Sequence, residues 1–469
     1  MENHRRFDLL ATSFPGRLLS WQWGRLSFQI ILLILAIFII YDGFTGPQLA
    51  AANNATLLVW VHYRGFVILS LLLIGNVFCF ACPFTITRSL AKKVSSHGRR
   101  FPNVLRNKWV SVAGLFILFW LYEWLDLWAS PWLTAWLLIT YFFLSFALEA
   151  IFHESPFCKY VCPIGAFNFT YSTISPFQIT KRDSPTCRTC ENKECVTGSS
   201  ESLGCGTELY VPVIDSNMDC TFCLDCARAC PYSNVSLPAR TPAIDLTTSR
   251  PPRWDLAFLF ITLTFMGVMN AFGMVAPIYR LHEWLAIDLK IQSEGVRLLL
   301  IFGMGNIILP MIVLVLAAWA SRLLNPRASA VKLKNIASRY APGFVPLGFG
   351  IWMAHYGFHF VIGGLAIIPV FQSFVLDHNL TILGDSPNWD VGFMLPSSWI
   401  FPLQVAVVLI GFAVSLYVIG RVSLQNTTNP QYAFQELLPW AITLVMLTII
   451  SLSIFNLPME MRGALGFGT

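Results

Sequence analysis

Nine apolar runs, at about residues 26–44, 60–80, 109–128, 131–152, 254–276, 297–320, 343–374, 399–420 and 437–456, dominate the chain. Each approaches the roughly 20 residues a helix needs to cross a hydrocarbon core. The expected fold is therefore an all-α polytopic membrane protein with about nine transmembrane helices. Only 12% of the 469 residues are charged, against about 25% in soluble domains. That excludes a secreted protein, a free cytosolic enzyme and a nucleic-acid binder. The formal net charge of +6 is read as an orientation signal rather than as a sign of phosphate partners.

A polar stretch, residues 153–253, separates the first four runs from the last five. The loop at 83–108 carries Arg88, Lys92, Lys93, Arg99, Arg100, Arg106 and Lys108 with no Asp or Glu, and the loop at 321–342 carries Arg322, Arg327, Lys332, Lys334 and Arg339. The loop at 375–398 has Asp377, Asp385 and Asp390 and no Lys or Arg. Excess basic charge stays on the cytoplasmic side. An inner-membrane protein with the N-terminus and the polar insert in the cytoplasm satisfies all three loops, with Arg5 and Arg6 as inside anchors rather than a twin-arginine export signal. Ile278, Leu281, Leu285 and Leu289 fall on one face of an expected interfacial helix at 277–290. Trp120, Tyr122, Trp124, Trp128, Trp132 and Trp136 form an aromatic belt.

All 12 cysteines lie between Cys79 and Cys230. In a reducing compartment such a series points to metal rather than to disulfides. Cys220, Cys223, Cys226 and Cys230 with Pro231 have the C-x-x-C-x-x-C-x-x-x-C-P spacing of a bacterial ferredoxin, in which the fourth Cys ligates the neighbouring cluster. Cys187, Cys190, Cys195 and Cys205 precede it in a looser series. Swapping the fourth ligands assigns one [4Fe-4S] cluster to Cys187, Cys190, Cys195 and Cys230, and a second to Cys205, Cys220, Cys223 and Cys226. Two alternatives stay open: a zinc ribbon, and one cluster beside a zinc or free-thiol remnant.

Four further cysteines end helical hairpins, in Cys79-Phe80-Ala81-Cys82-Pro83 and in Cys158-Lys159-Tyr160-Val161-Cys162-Pro163. Their repetition suggests an internal duplication. Together they could supply a third tetrad, iron-sulfur or another redox site; the alternative is that each is a small buried hydrophobe at a helix end. The chain thus divides into a four-helix membrane domain with Cys-Pro motifs (1–152), a cytoplasmic two-cluster ferredoxin-like α+β insert (153–253), and a five-helix membrane domain of unknown role (254–469).

The run Phe157-Cys158-Lys159-Tyr160-Val161-Cys162-Pro163-Ile164-Gly165-Ala166, with the ferredoxin motif after four spans, resembles the ferredoxin-type membrane subunit of periplasmic nitrate reductases. It is similar also to the nitrous-oxide reductase regulator and to the iron-sulfur proteins of cytochrome oxidase assembly. The resemblance covers roughly residues 20–255 and implies electron transfer between membrane quinones and a redox partner through [4Fe-4S] centres. The chain departs from the family at Cys79 and Cys82, which have two residues between them where the family usually has three. The five-span half after residue 254 matches no subunit of that family.

In that half His355 and His359 lie one helical turn apart in the middle of an apolar run, where ionisable groups are functional by default. A single haem cannot use both, and His4, His62, His97, His153, His282 and His378 supply no mid-depth partner, so haem b within one chain is disfavoured. His355, His359 and Glu123 are the candidates for proton or quinone chemistry, set against a pair merely hydrogen-bonded to neighbouring helices. Asp126 and Glu149 are further near-interface carboxylates. Gly363-Gly364 and Pro369 could break the seventh span, as in transporters. The leading expectation is an electron-transfer component of a quinone-linked oxidoreductase, with lipid, a redox partner protein and quinone as partners and no nucleic acid. A redox-sensing or assembly protein, and a redox-driven transporter or metal-handling permease, are the competing classes.

Overall fold

A computed structural model of the chain describes residues 7–21, 23–94, 99–152, 155–200, 202–248, 250–325, 330–427 and 429–459. His4, Arg5, Arg6, His97, His153 and Arg327 lie outside the described residues. Apolar helices dominate: α1 (Gly24–Thr45), α2 (Asn54–Leu73), α3 (Trp109–Trp124), α4 (Pro131–Ile151), α5 (Trp254–Phe272), α6 (Ala276–Ile287), α7 (Glu294–Leu324), α8 (Phe344–Gly363), α9 (Ile367–Asp377), α10 (Ser397–Asn426) and α11 (Pro430–Phe455). Among the described residues eight helical segments are long and apolar enough to cross a membrane, with α8 and α9 in one of them. The chain is an all-α polytopic membrane protein. Of the nine expected spans, only α3 is shorter, at 16 residues or about 24 Å, because the chain turns at Asp126, which has a positive φ of 44°.

Local sequence explains the helix ends. Pro131 and Pro430 sit in the first turns of α4 and α11, where a missing N–H costs nothing. The Asn429 side chain caps α11 by accepting from the Gln431 N–H at 2.9 Å. The seventh apolar run is broken where Gly363-Gly364 suggested: α8 ends at Gly363, a short 3₁₀ turn spans Gly364–Ala366, and α9 follows. His62 on α2 lies 2.9 Å from the Gly364 carbonyl at that break, and its other ring nitrogen lies 3.1 Å from the Leu57 carbonyl. This corrects the expectation that His62 supplies nothing at mid-depth: α2 begins at Asn54, not near residue 60, so His62 falls in its middle.

The chain forms two units. The first comprises residues 1–41, 69–111 and 135–245; the second comprises residues 42–68, 112–134 and 246–469. Most of the cysteine-rich insert lies in the first. There β1 (Thr180–Lys181) pairs antiparallel with β2 (Val235–Ser236), tying the two ends of that insert together. Phe80, Ile179, Val211, Phe222, Leu224, Val235 and Leu237 make its core.

In the second unit α5 is buried almost all round and packs against α8. α8 and α10 cross closely because a Cβ on Gly411 would meet the Pro346 carbonyl at 2.7 Å; only glycine allows that approach. The expected interfacial helix is α6, but Ile278 and Leu285 are buried against Phe119, Leu298 and Phe302. Its apolar face therefore serves the protein core rather than a lipid surface, and Leu289 lies beyond its end, exposed. Lipid contact is available instead to Ile31, Ile34 and Ile37 on α1, all exposed.

Candidate metal centres and an intramembrane polar cluster

All 12 cysteines are free thiols, and all lie in the first unit. They fall into three groups of four. Cys187, Cys190, Cys195 and Cys230 line one cavity, with about 360 Å³ of space outside protein atoms, part of it open to solvent. Cys79, Cys82, Cys158 and Cys162 line a second, with about 380 Å³. Cys205, Cys220, Cys223 and Cys226 are electrostatic neighbours of one another. Cys230 thus stands with the upstream series and Cys205 with Cys220, Cys223 and Cys226.

The two Cys-Pro motifs are alike in backbone. Cys82 (φ −58°, ψ 118°) and Cys162 (φ −65°, ψ 116°) each precede a proline that opens a helical turn. Cys158 and Cys162 are one residue farther apart in sequence than Cys79 and Cys82. A wide π turn at Phe157–Val161 takes up the extra residue, with the Cys162 N–H donating to the Phe157 carbonyl at 2.7 Å. The unequal spacing is therefore compatible with the four thiols meeting.

Donors already point at these sulfurs. Asn168 Nδ2 lies 3.5 Å from Cys79 Sγ, the Gly165 N–H 3.2 Å from Cys162 Sγ, Asn234 Nδ2 3.2 Å from Cys187 Sγ, and the Leu209 N–H 3.3 Å from Cys205 Sγ. Such bonds stabilise charged sulfur. Burial pushes the Cys223 thiol up to about 11 and raises Cys220 and Cys226 as well. Burial thus favours the neutral thiol unless a cation lies beside the sulfur. Among the described residues no three His, Cys, Asp or Glu side chains close on a single-ion position. Two of the groups instead place four cysteines around one common space, a donor set of the kind that would suit a four-iron cluster.

The second unit holds a different constellation. Arg64 on α2 donates to the Tyr122 hydroxyl at 3.1 Å. Its guanidinium lies 4.7 Å from the Trp60 and Tyr122 ring centres and 4.8 Å from that of Tyr356. Glu123, 5% exposed, is among its charged neighbours. His355 is fully buried, with neither ring nitrogen hydrogen-bonded, and its ring centre lies 4.9 Å from that of His359. Arg64 also neighbours both histidines electrostatically. The sequence pattern singles out His355, His359 and Glu123 but not Arg64, which falls within the second apolar run. Its signal is a basic residue lying ten residues into what is in fact α2.

Glu149 is 2% exposed, 3.8 Å from Arg88 and an acceptor from the Ser155 hydroxyl at 3.2 Å. It is a buried, paired carboxylate rather than a hydrated one.

No protein-family model matches the chain, and no solved structure does. The chain is similar, at 25% identity over 137 residues, to an Escherichia coli (strain K12) protein described as "Putative electron transport protein YccM". That alignment covers 28% of this chain and 35% of the relative, so the chain spans about a third of the length of the curated protein it matches.

Proposed function

We propose that this multi-pass membrane protein transfers electrons through iron-sulfur clusters held by its cysteine tetrads. The observation that carries the reading is the sorting of all 12 cysteines into three fours, two of which each line one cavity. The description of the Escherichia coli relative supports an electron-transport role.

Cys187, Cys190, Cys195 and Cys230 would hold one [4Fe-4S] cluster, Cys205, Cys220, Cys223 and Cys226 a second, and Cys79, Cys82, Cys158 and Cys162 a third redox centre. Bound clusters would supply one-electron chemistry without proton exchange. The protein's own part is to present thiolates, to place N–H donors on the sulfurs, and to bury the sites among apolar side chains. Cys223 and Cys226 lie on a loop closed by Arg228, which donates to the Cys223 carbonyl and to Asp225 at 2.7 Å.

Arg64, Tyr122, His355 and His359 are the groups suited to a quinone headgroup and to its protons. They combine hydrogen-bond donors, aromatic faces and an imidazole whose nitrogens have no hydrogen-bond partner inside apolar helices. Cytoplasmic placement of the insert and of the N-terminus, and a redox partner protein on that side, complete the reading. Anaerobic purification with iron and sulfide analysis and electron paramagnetic resonance tests it. Protein free of iron and sulfide after anaerobic expression would sink it.

A further inference from the structure

Arg25, the second residue of α1, is an arginine at the end of an apolar helix. Its three nitrogens each have a partner, and the partners come from two different cysteine groups. Nε donates to the Phe80 carbonyl at 3.1 Å, between Cys79 and Cys82. Nη2 donates to the Thr85 hydroxyl at 3.1 Å, and that hydroxyl donates to the Cys82 carbonyl at 2.8 Å. Nη1 donates to Asp225 at 2.9 Å, between Cys223 and Cys226. Cys223, Cys158 and Cys82 all count among its electrostatic neighbours.

We propose that Arg25 is a positioning residue shared by two redox centres, clipping the Cys79–Cys82 loop to the Cys223–Cys226 loop and placing one cation within the field of both. The inference rests on reading these cysteines as cluster sites. Adding an electron makes a cluster more negative, and a nearby cation with little water around it favours that state. The side chain of Arg25 is 16% exposed and that of Asp225 8%, so screening is weak. One cation beside two centres raises the reduction potential of both, so a single residue sets the level at which each accepts an electron.

Asp225 has the opposite charge and the opposite effect. It forms ion pairs with Arg25 at 2.9 Å and with Arg228 at 2.7 Å, the setting of a carboxylate anion. Geometry makes arginine specific here. A planar fork reaches three acceptors in fixed directions, whereas a lysine ammonium carries the charge without the fork.

The test is redox-poised paramagnetic resonance on the full-length, anaerobically purified protein, with iron counted in every sample. Arg25→Gln is expected to shift the signals of both centres to lower potential. Arg25→Lys should fall between that variant and the native protein. Asp225→Asn should shift the signal of the Cys220 group to higher potential, a sign reversal that a loosened scaffold would not produce. Unshifted midpoints in Arg25→Gln, or shifts of the same sign in Arg25→Gln and Asp225→Asn, would overturn the inference. So would loss of iron in all three variants, which would make Arg25 a scaffold residue. A native protein without signals would instead remove the cluster reading itself.

Discussion

Lys108, wholly enclosed by protein, donates its ammonium to the Asp219 carboxylate and, at 2.6 Å, to the Lys159 carbonyl. Tyr160 and Phe169 lie with ring centres 5.8 and 5.4 Å from the same nitrogen. Asp219 precedes Cys220 and Lys159 follows Cys158, so one buried cation braces two cysteine loops. Removing one partner of such a pair leaves the other charged and unpaired, at a cost of about 3–5 kcal/mol. Lys108→Met should destabilise the protein by that order in denaturant unfolding of detergent-solubilised samples. Lys108→Met with Asp219→Asn should recover most of the loss. Equal stability of the single variant and the native protein would show that the pair contributes no net stability.

Iron content distinguishes the three cysteine groups. Full-length protein purified without oxygen should hold about 12 irons if each tetrad takes a four-iron cluster. Cys195→Ala and Cys158→Ala should each remove about four and abolish different resonance signals, because the two residues line different cavities. Identical spectral losses in the two variants would mean that the cavities are not separate centres.

Arg64 and His359 address the intramembrane cluster. Arg64→Gln and His359→Leu should each slow quinone-linked turnover, by on the order of a hundredfold if the imidazole moves a proton, while iron content stays native. Native turnover in both variants would return these residues to a packing role.

Reporter fusions test orientation. If the basic loops at 83–108 and 321–342 face the cytoplasm, as the positive-inside rule expects, a reporter at residue 200 should be active only inside the cell and one at residue 385 only outside. The reverse pattern at residue 200 would put the cysteines in an oxidising compartment and argue against thiolate clusters.

The helical, membrane-spanning character of the chain is legible in its sequence alone. Apolar length is a one-dimensional property, and lipid forces each such run to satisfy its own backbone. The break at Gly363-Gly364 is legible for a related reason, since two glycines weaken any helix locally. Likewise the C-x-x-C-x-x-C spacing brings Cys220, Cys223 and Cys226 near one another, because residues on one short loop meet through local geometry alone.

The remainder needs the tertiary structure. Cys79 and Cys158 are far apart in the chain, and whether they share a cavity depends on how hairpins pack and on a π turn that no residue type announces. Arg64 carries no motif in the sequence; the start of α2 at Asn54 puts it well inside the helix, and its aromatic neighbours come from α3 and α8 as well as from α2 itself. Arg25 and Lys108 read in sequence as positive charges near a membrane edge. Spacing along a chain fixes which ligands are available locally. Only packing decides which distant groups a buried charge will meet, because burial is costly unless that charge finds its partners.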